Sequence, residues 1–453
     1  MKRRFLVAAM ATTLVLSGCS GGGQTAQTTA AESKETTAAK ETAEESKKEE
    51  TSKAENAGVI EIEFWHALET QYEPTLNKVV DEFNKTHDNI VVKPMYIGAY
   101  AALNEAIVAA HAAGAGLPGV AMANIPFVAG YGAGGVCEDL GPYIERDGFE
   151  LEDFGEGLRK AGEYEGSQIA LPFLVSTEVV YYNKDLMKEL GLEMPEKWAD
   201  MTEFLEKGSV VENGESSRYG MVIPGWNTFY YGPFFVNNGV EPLKADGTTG
   251  LGDESAVKVV QQMKDWCDAG YTYLATGKDA ASVMRQNFVD GKALSVVYTS
   301  SLYNTMVDLC DFEVGMSWLP SGDTKNQELG GNVLFIPSKN SQEVKDASWE
   351  FLSYLMSKEV NMIWASETGY LPTRKSVQET EEGKKFLEQK PAFEAIFENL
   401  DLISPGIQHS AWNQASTIWV NYIDEIITEG LDVKEAMENM AAEINEVLQD
   451  SQE

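Results

Sequence analysis

Three apolar stretches separated by two amphipathic ones open the body of this chain, and their order constrains the fold more than any other feature. Val59-Ile60-Glu61-Ile62-Glu63-Phe64-Trp65 alternates as a half-buried strand does. Between Glu73 and Thr86, Leu76, Val79, Val80 and Phe83 recur at helical spacing. Ile90-Val91-Val92-Lys93-Pro94-Met95-Tyr96 reads as a second strand. Tyr100 to Ala113 reads as an Ala-rich helix ended by Gly114, and Val120-Ala121-Met122-Ala123 as a third, fully buried strand. This βαβαβ order predicts an α/β fold with a parallel sheet covered by helices. Such sheets bind ligands beyond the carboxyl ends of their strands, so His66, Glu69, Tyr96 to Tyr100 and Asn124 form a candidate rim.

The pattern loosens after that. Glu178 to Asn183 is strand-like, and Lys184 to Leu190 and Trp198 to Lys207 are helical. Pro224 to Phe235 is crowded with Trp226, Phe229, Tyr230, Tyr231, Phe234 and Phe235. Helices are predicted over 255–269, 282–290, 344–356, 411–429 and 433–448, and strands over 293–298, 312–316 and 330–336. No internal repeat is present.

Residues ahead of Val59 do not belong to the fold. Met1-Lys2-Arg3-Arg4 is basic, Phe5 to Leu16 is apolar, and Leu16-Ser17-Gly18-Cys19 follows. This is the layout of a secretory signal, too short to span a bilayer. The small residues before Cys19 resemble the lipobox of bacterial lipoproteins. That resemblance implies a signal over 1–18, cleavage before Cys19, and lipidation of Cys19. Residues 20 to 58 hold no aromatic residue, and such a composition predicts a disordered tether. Its reach as a flexible chain is roughly 35 Å. Lipid and tether together predict a body anchored to a membrane without spanning it.

Formal charge is −36. The signal contributes +3 and the tether −3 (eight Glu, five Lys), so the body alone carries −36. That balance argues against nucleic acid or an anionic membrane surface as partner, since both need clustered cations. Apart from Cys19, only Cys137, Cys267 and Cys310 remain. They are far apart and read as small buried residues, and whether any two are bonded stays open. His66, His87, His111 and His409 show no metal spacing, and Gly130 to Gly135 lacks the features of a phosphate loop.

Five motifs in order resemble the extracellular solute-binding proteins of ABC importers, type II, carbohydrate branch. They are Phe64-Trp65-His66-Ala67-Leu68-Glu69; Leu171-Pro172-Phe173 with Val180-Tyr181-Tyr182-Asn183-Lys184-Asp185; Phe288-Val289-Asp290-Gly291-Lys292-Ala293; Gly330-Gly331-Asn332; and Glu367-Thr368-Gly369-Tyr370-Leu371-Pro372-Thr373-Arg374. The Trp-His opening with Glu69 is most similar to the glycerol-3-phosphate and glycerophosphodiester binders. The resemblance implies two α/β lobes, each a mainly parallel sheet flanked by helices, closing by a hinge on a ligand between them. It implies 59–174 plus 312–356 as lobe one and 177–311 plus 357–450 as lobe two. It further implies His66, Glu69, Tyr96, Tyr100, Ser176, Trp226, Ser300, Ser301, Gly331, Asn332, Tyr370 and Arg374 as ligand contacts. No cofactor or metal is implied. The partners would be a small solute and the permease subunits of an importer, with the protein a monomer held at the outer face of the cytoplasmic membrane.

Aromatic platforms with a few placed donors and acceptors suit a sugar or polyol. One departure bears on the ligand. Phosphate-binding members carry a Gly-x-Arg motif late in the chain, and the matching stretch here is Pro405-Gly406-Ile407-Gln408-His409. Gln408 lacks the charged fork of arginine, which weakens a phosphomonoester and leaves a neutral oligosaccharide or a phosphodiester. Two other readings compete. An extracellular glycosidase needs paired carboxylates about 5–9.5 Å apart, and only Glu69 lies in a site-like motif. A sensor presenting its ligand to a receptor kinase would have the same fold.

Overall fold

The computed structural model describes residues 58–450. The signal, Cys19 and most of the tether lie outside the described residues. Chain from Val59 onward forms one compact unit.

Its opening is the predicted alternation. Strand β1 (Ile60–His66) turns Ile62, Phe64 and His66 inward. Helix α1 (Glu73–Thr86) starts with proline in its first turn and buries Leu76, Val79, Val80 and Phe83. Strand β2 (Ile90–Tyr96), helix α2 (Tyr100–Ala113) and strand β3 (Val120–Asn124) follow. Gly114 stops α2 at φ 64°, a left-handed conformation that favours glycine. Both β2 and β3 run parallel to β1, with His66 opposite Tyr96.

Later elements are β4 (Leu171–Asn183), β5 (Glu215–Pro224), α3 (Glu254–Asp268), β6 (Thr272–Ala275), α4 (Ala280–Val289) and β7 (Ala293–Thr299). Then come β8 (Val314–Ser317), β9 (Gln327–Phe335), α5 (Gln342–Leu355), α6 (Lys358–Thr368), α7 (Trp412–Thr428) and α8 (Val433–Asp450). Strands β5 and β6 were not expected. The start of β5, Glu-Ser-Ser-Arg, is polar, and β6 is only four residues long.

One continuous sheet runs β2-β1-β3-β9-β4-β7-β5. Strand β4 is long enough to serve both lobes. Its residues 171–177 pair antiparallel with β9, and 178–183 pair with β7 on one side and β8 on the other. Strand β9 continues antiparallel onto β3. In lobe two, β5 is parallel to both β7 and β6. Each lobe therefore keeps a parallel set of strands, and antiparallel β4 and β9 carry the chain between them. These crossings, near Ser176–Glu178 and Gln327–Gly330, form the hinge.

The lobe boundaries differ from the expected ones. Strand β8 lies in the lobe-two half of the sheet, although 312–356 was expected in lobe one. Of 357–450, only α7 and α8 pack on α3 of lobe two. Helix α6 buries Val360, Met362 and Trp364 and packs on α1 and α5 of lobe one, with Trp364 edge-on to Phe173 at 5.5 Å. Ile403–Ser404 pairs with the start of β9. The apolar face of α6 has its partners in lobe one, whereas Phe393 packs edge-on against Tyr303 of lobe two at 5.2 Å, so the segment ahead of α7 is shared between the lobes.

Candidate functional site

Lobe one presents its wall where β1 ends. His66 is 3% exposed, and its Nδ1 accepts the Leu68 N–H at 3.2 Å, which assigns the proton to Nε2. Burial lowers its pKa to about 4, so the ring is neutral at pH 7. Its ring lies 6.0 Å from Tyr96, which is exposed at the rim. Glu69 follows in an exposed turn, and Gln71 Nε2 donates to it at 2.7 Å. The Tyr72 and Tyr370 rings meet at 5.5 Å. Tyr100 joins them, its hydroxyl accepting from Asn332 Nδ2 at 3.1 Å. Burial raises the pKa of the Tyr72, Tyr100 and Tyr370 hydroxyls, and the nearby Glu69 carboxylate adds to the shift.

Lobe two answers with stacked rings. Trp226, beyond the end of β5, lies edge-on to Tyr230 at 5.5 Å, and Tyr230 stacks on Tyr298 at 5.7 Å. Burial raises the Tyr298 hydroxyl, Glu69 of the other lobe raises it further, and Arg285 on α4 opposes them. Tyr298 thus feels both a carboxylate of lobe one and a guanidinium of lobe two. Arg285 is half-buried with no hydrogen bond or ion pair, unlike every other described arginine.

The hinge forms the floor. Asn332 is fully buried, and its Oδ1 accepts the Leu174 N–H at 3.4 Å. Gly331 sits at φ +103°, where a Cβ would lie 2.1 Å from the Leu174 carbonyl oxygen. Only glycine lets β9 approach β4 this closely. Ser300 Oγ accepts the Thr177 N–H at 3.1 Å, and Thr177 Oγ1 donates to the Glu328 carbonyl at 2.9 Å. Glu178 has no exposed surface, and its Oε1 accepts the Glu328 N–H at 2.8 Å. Burial pushes the carboxyl pKa of Glu178 well up.

The structure therefore groups Glu69, Tyr72, Tyr100 and Tyr370 in lobe one and Trp226, Tyr230 and Tyr298 in lobe two, with His66 buried beside the exposed Tyr96. Ser176, Ser300, Gly331 and Asn332 fasten the hinge, and Ser301 is buried against Thr299 at 3.0 Å. Arg374 is a correction. It is 6% exposed, donates to the Met356 carbonyl at 2.7 Å and to Asp153 at 3.1 Å, and stacks on Phe149 and Phe154. A buried guanidinium needs full pairing, and this one finds it inside lobe one and away from the cleft. Sequence reasoning missed Tyr72, Tyr230, Tyr298 and Arg285. Tyr298 closes a strand that the sequence did reveal, and the strand-end rule would have found it. All three described cysteines are free, and no group of three His, Cys, Asp or Glu among the described residues could hold a metal.

Residues 78–395 match the family model of bacterial extracellular solute-binding proteins. The chain belongs to that family. The sn-glycerol-3-phosphate-binding periplasmic protein UgpB of Yersinia pestis bv. Antiqua is 25% identical over 364 residues, covering 75% of this chain and 80% of the relative. UgpB of Escherichia coli O1:K1 is 23% identical over 357 residues, with the same coverage. The fold is shared with UgpB from Mycobacterium tuberculosis in complex with glycerophosphocholine (TM-score 0.75, 21% identity, 87% of this chain and 100% of the other). It is shared equally with the sugar-binding protein MalE from Xanthomonas citri (TM-score 0.75, 19% identity, 86% and 98%).

Proposed function

We propose that this solute-binding protein captures a sugar, or a glycerophosphodiester with one negative charge, between its lobes and delivers it to the permease of an ABC importer. The observation that carries this reading is the pair of aromatic walls, Tyr72, Tyr100 and Tyr370 against Trp226, Tyr230 and Tyr298, around the single carboxylate of Glu69. Rings take the C–H faces of a polyol, and Glu69 accepts from its hydroxyls. Gln408 and the internally paired Arg374 leave no strong phosphate fork, whereas Arg285 is free to meet one phosphodiester charge. The protein acts as a binder and not as an enzyme. A glycosidase needs a second carboxylate, and Glu178, beside Tyr230, is sealed inside the hinge. The Cys19 lipid and the tether hold the body at the outer face of the cytoplasmic membrane, where a monomer swings to its permease. Isothermal titration against sugars and glycerophosphodiesters tests this reading. Saturable binding to one class supports it, and binding to neither overturns it.

A further inference from the structure

A second cavity lies beside the hinge, between the start of β9, the turn Thr228–Tyr230, residues 404–407 and α7. Its volume is about 90 Å³. The Glu328 carboxyl lines it without a hydrogen bond or ion pair, although the Glu328 backbone is fully engaged. Trp419 also lines it. That side chain is 2% exposed, and its indole N–H is buried with no acceptor. Two glycines keep the space open. A Cβ on Gly406 would lie 3.0 Å from Glu328 Oε1, and one on Gly232 would lie 3.7 Å from Trp419 and 3.9 Å from Glu328 Oε2. Trp412 forms a further wall, and no lysine, arginine or histidine lines the cavity.

The unmet chemistry is specific. A half-buried carboxylate that lines a cavity without a counter-ion calls for a cation. The Trp419 N–H cannot serve a cation and calls instead for an acceptor oxygen. At about 30 Å³ per water the space holds roughly three waters, and covalently bonded heavy atoms pack more closely than that, so a molecule of about four heavy atoms fits. We propose that this cavity is a second binding site, for a small primary amino alcohol of ethanolamine size, with its ammonium on Glu328 and its hydroxyl oxygen on Trp419.

The proposal stands whether the cleft takes a sugar or a phosphodiester. The cavity adjoins the hinge directly, since the Glu328 N–H is held by Glu178 of β4. Calorimetric titration of the full chain with ethanolamine tests the proposal, with glycerol, methylamine and choline as comparison ligands. Saturable binding of ethanolamine is expected. Glycerol lacks the charge, methylamine lacks the oxygen and choline is too bulky, so each should bind at least tenfold more weakly. Glu328→Gln should reduce ethanolamine affinity at least tenfold. Gly232→Ala, whose methyl meets its neighbours at ordinary contact distance inside the cavity, should do the same. The proposal is overturned if ethanolamine does not bind, or if glycerol binds as tightly. Loss of ethanolamine binding in Glu69→Gln with retention in Glu328→Gln would move the cation to the cleft and overturn it equally.

Discussion

The two walls of the cleft are built on different principles. Lobe one holds its polar groups in fixed bonds. Gln71 donates to Glu69, Asn332 ties Tyr100 to the hinge, and His66 is locked into one tautomer by the Leu68 N–H. Lobe two offers ring against ring, Trp226 edge-on to Tyr230 and Tyr230 stacked on Tyr298, and one arginine without a hydrogen bond or ion pair. A pre-bonded wall fixes the orientation of a ligand at little entropic cost on binding. A stacked wall tolerates several ligand shapes and supplies area. On the proposed reading, lobe one would orient the ligand and lobe two would supply platform and charge. The contrast also separates two arginines that look alike in sequence, Arg374, which is consumed by the fold, and Arg285, which is free.

The largest effect should come from breaking the arginine contrast at its structural end. Arg374→Ala leaves the half-buried Asp153 without its counter-charge, held by Ser376 alone, and removing one partner of a buried pair costs about 3–5 kcal/mol. Denaturant unfolding of the variant should show that loss. Arg285→Ala should unfold within about 0.5 kcal/mol of the parent, as surface changes do. Equal destabilisation by both would erase the distinction.

Ligand affinity provides the next test. Trp226→Ala removes the outermost platform of lobe two and should weaken whichever solute the titration identifies by roughly 2 kcal/mol or more, as for a well-packed aromatic anchor. Arg285→Gln should weaken an anionic solute by about 1.5–2 kcal/mol, the range of a hydrogen bond to a charged group, and leave a neutral sugar unchanged. Equal loss for both solutes would remove Arg285 from the charge-reading role. Calorimetry on the two variants with one neutral and one anionic solute separates these outcomes.

This division of labour was unevenly legible in the sequence. Lobe one's wall follows from one unbroken βαβαβ run, so the loops after its strands, with Glu69 and Tyr100, could be read as a rim. Lobe two's wall is assembled from the ends of β5 and β7, and β5 opens on a polar stretch that hides it. In the crowded segment from Pro224 to Phe235, composition could not separate the core rings of Tyr231, Phe234 and Phe235 from the cleft rings of Trp226 and Tyr230. Arg374 was misread because its partner, Asp153, lies 221 residues away in sequence. Local pattern cannot express a pairing of that range.

The hinge differs from both walls in its response to pH. Burial raises the Glu328 carboxyl to a pKa of about 7, above its ordinary value of 4.5, and Glu178 moves in the same direction. A carboxyl raised on folding contributes its full share to stability below pH 4.5, and that share is lost as pH rises through 7. Glu328→Gln cannot ionise, so it should gain stability over the parent at pH 8, on the order of 1–2 kcal/mol, and gain nothing at pH 4.5. Thermal unfolding at the two pH values checks the sign. A gain at pH 4.5 that vanishes at pH 8 would mean that the carboxyl is stabilised in its charged form.

The smallest effect tests whether lobe one's wall is pre-bonded in a way that matters for binding. Tyr100→Phe removes one hydroxyl and leaves the fully buried Asn332 amide without that partner, although its Oδ1 keeps the Leu174 contact. The ring itself is unchanged, so the loss of stability should be about 1 kcal/mol, the usual value for one hydrogen bond. If the bond serves only the fold, ligand affinity is unchanged once the protein is folded. If it also holds the wall in its binding geometry, affinity falls by a similar amount, and the corresponding loss in lobe two, where Tyr230→Phe breaks no hydrogen bond, is absent. Paired unfolding and titration of Tyr100→Phe and Tyr230→Phe therefore distinguish a fixed wall facing an adaptable one from two walls of the same kind.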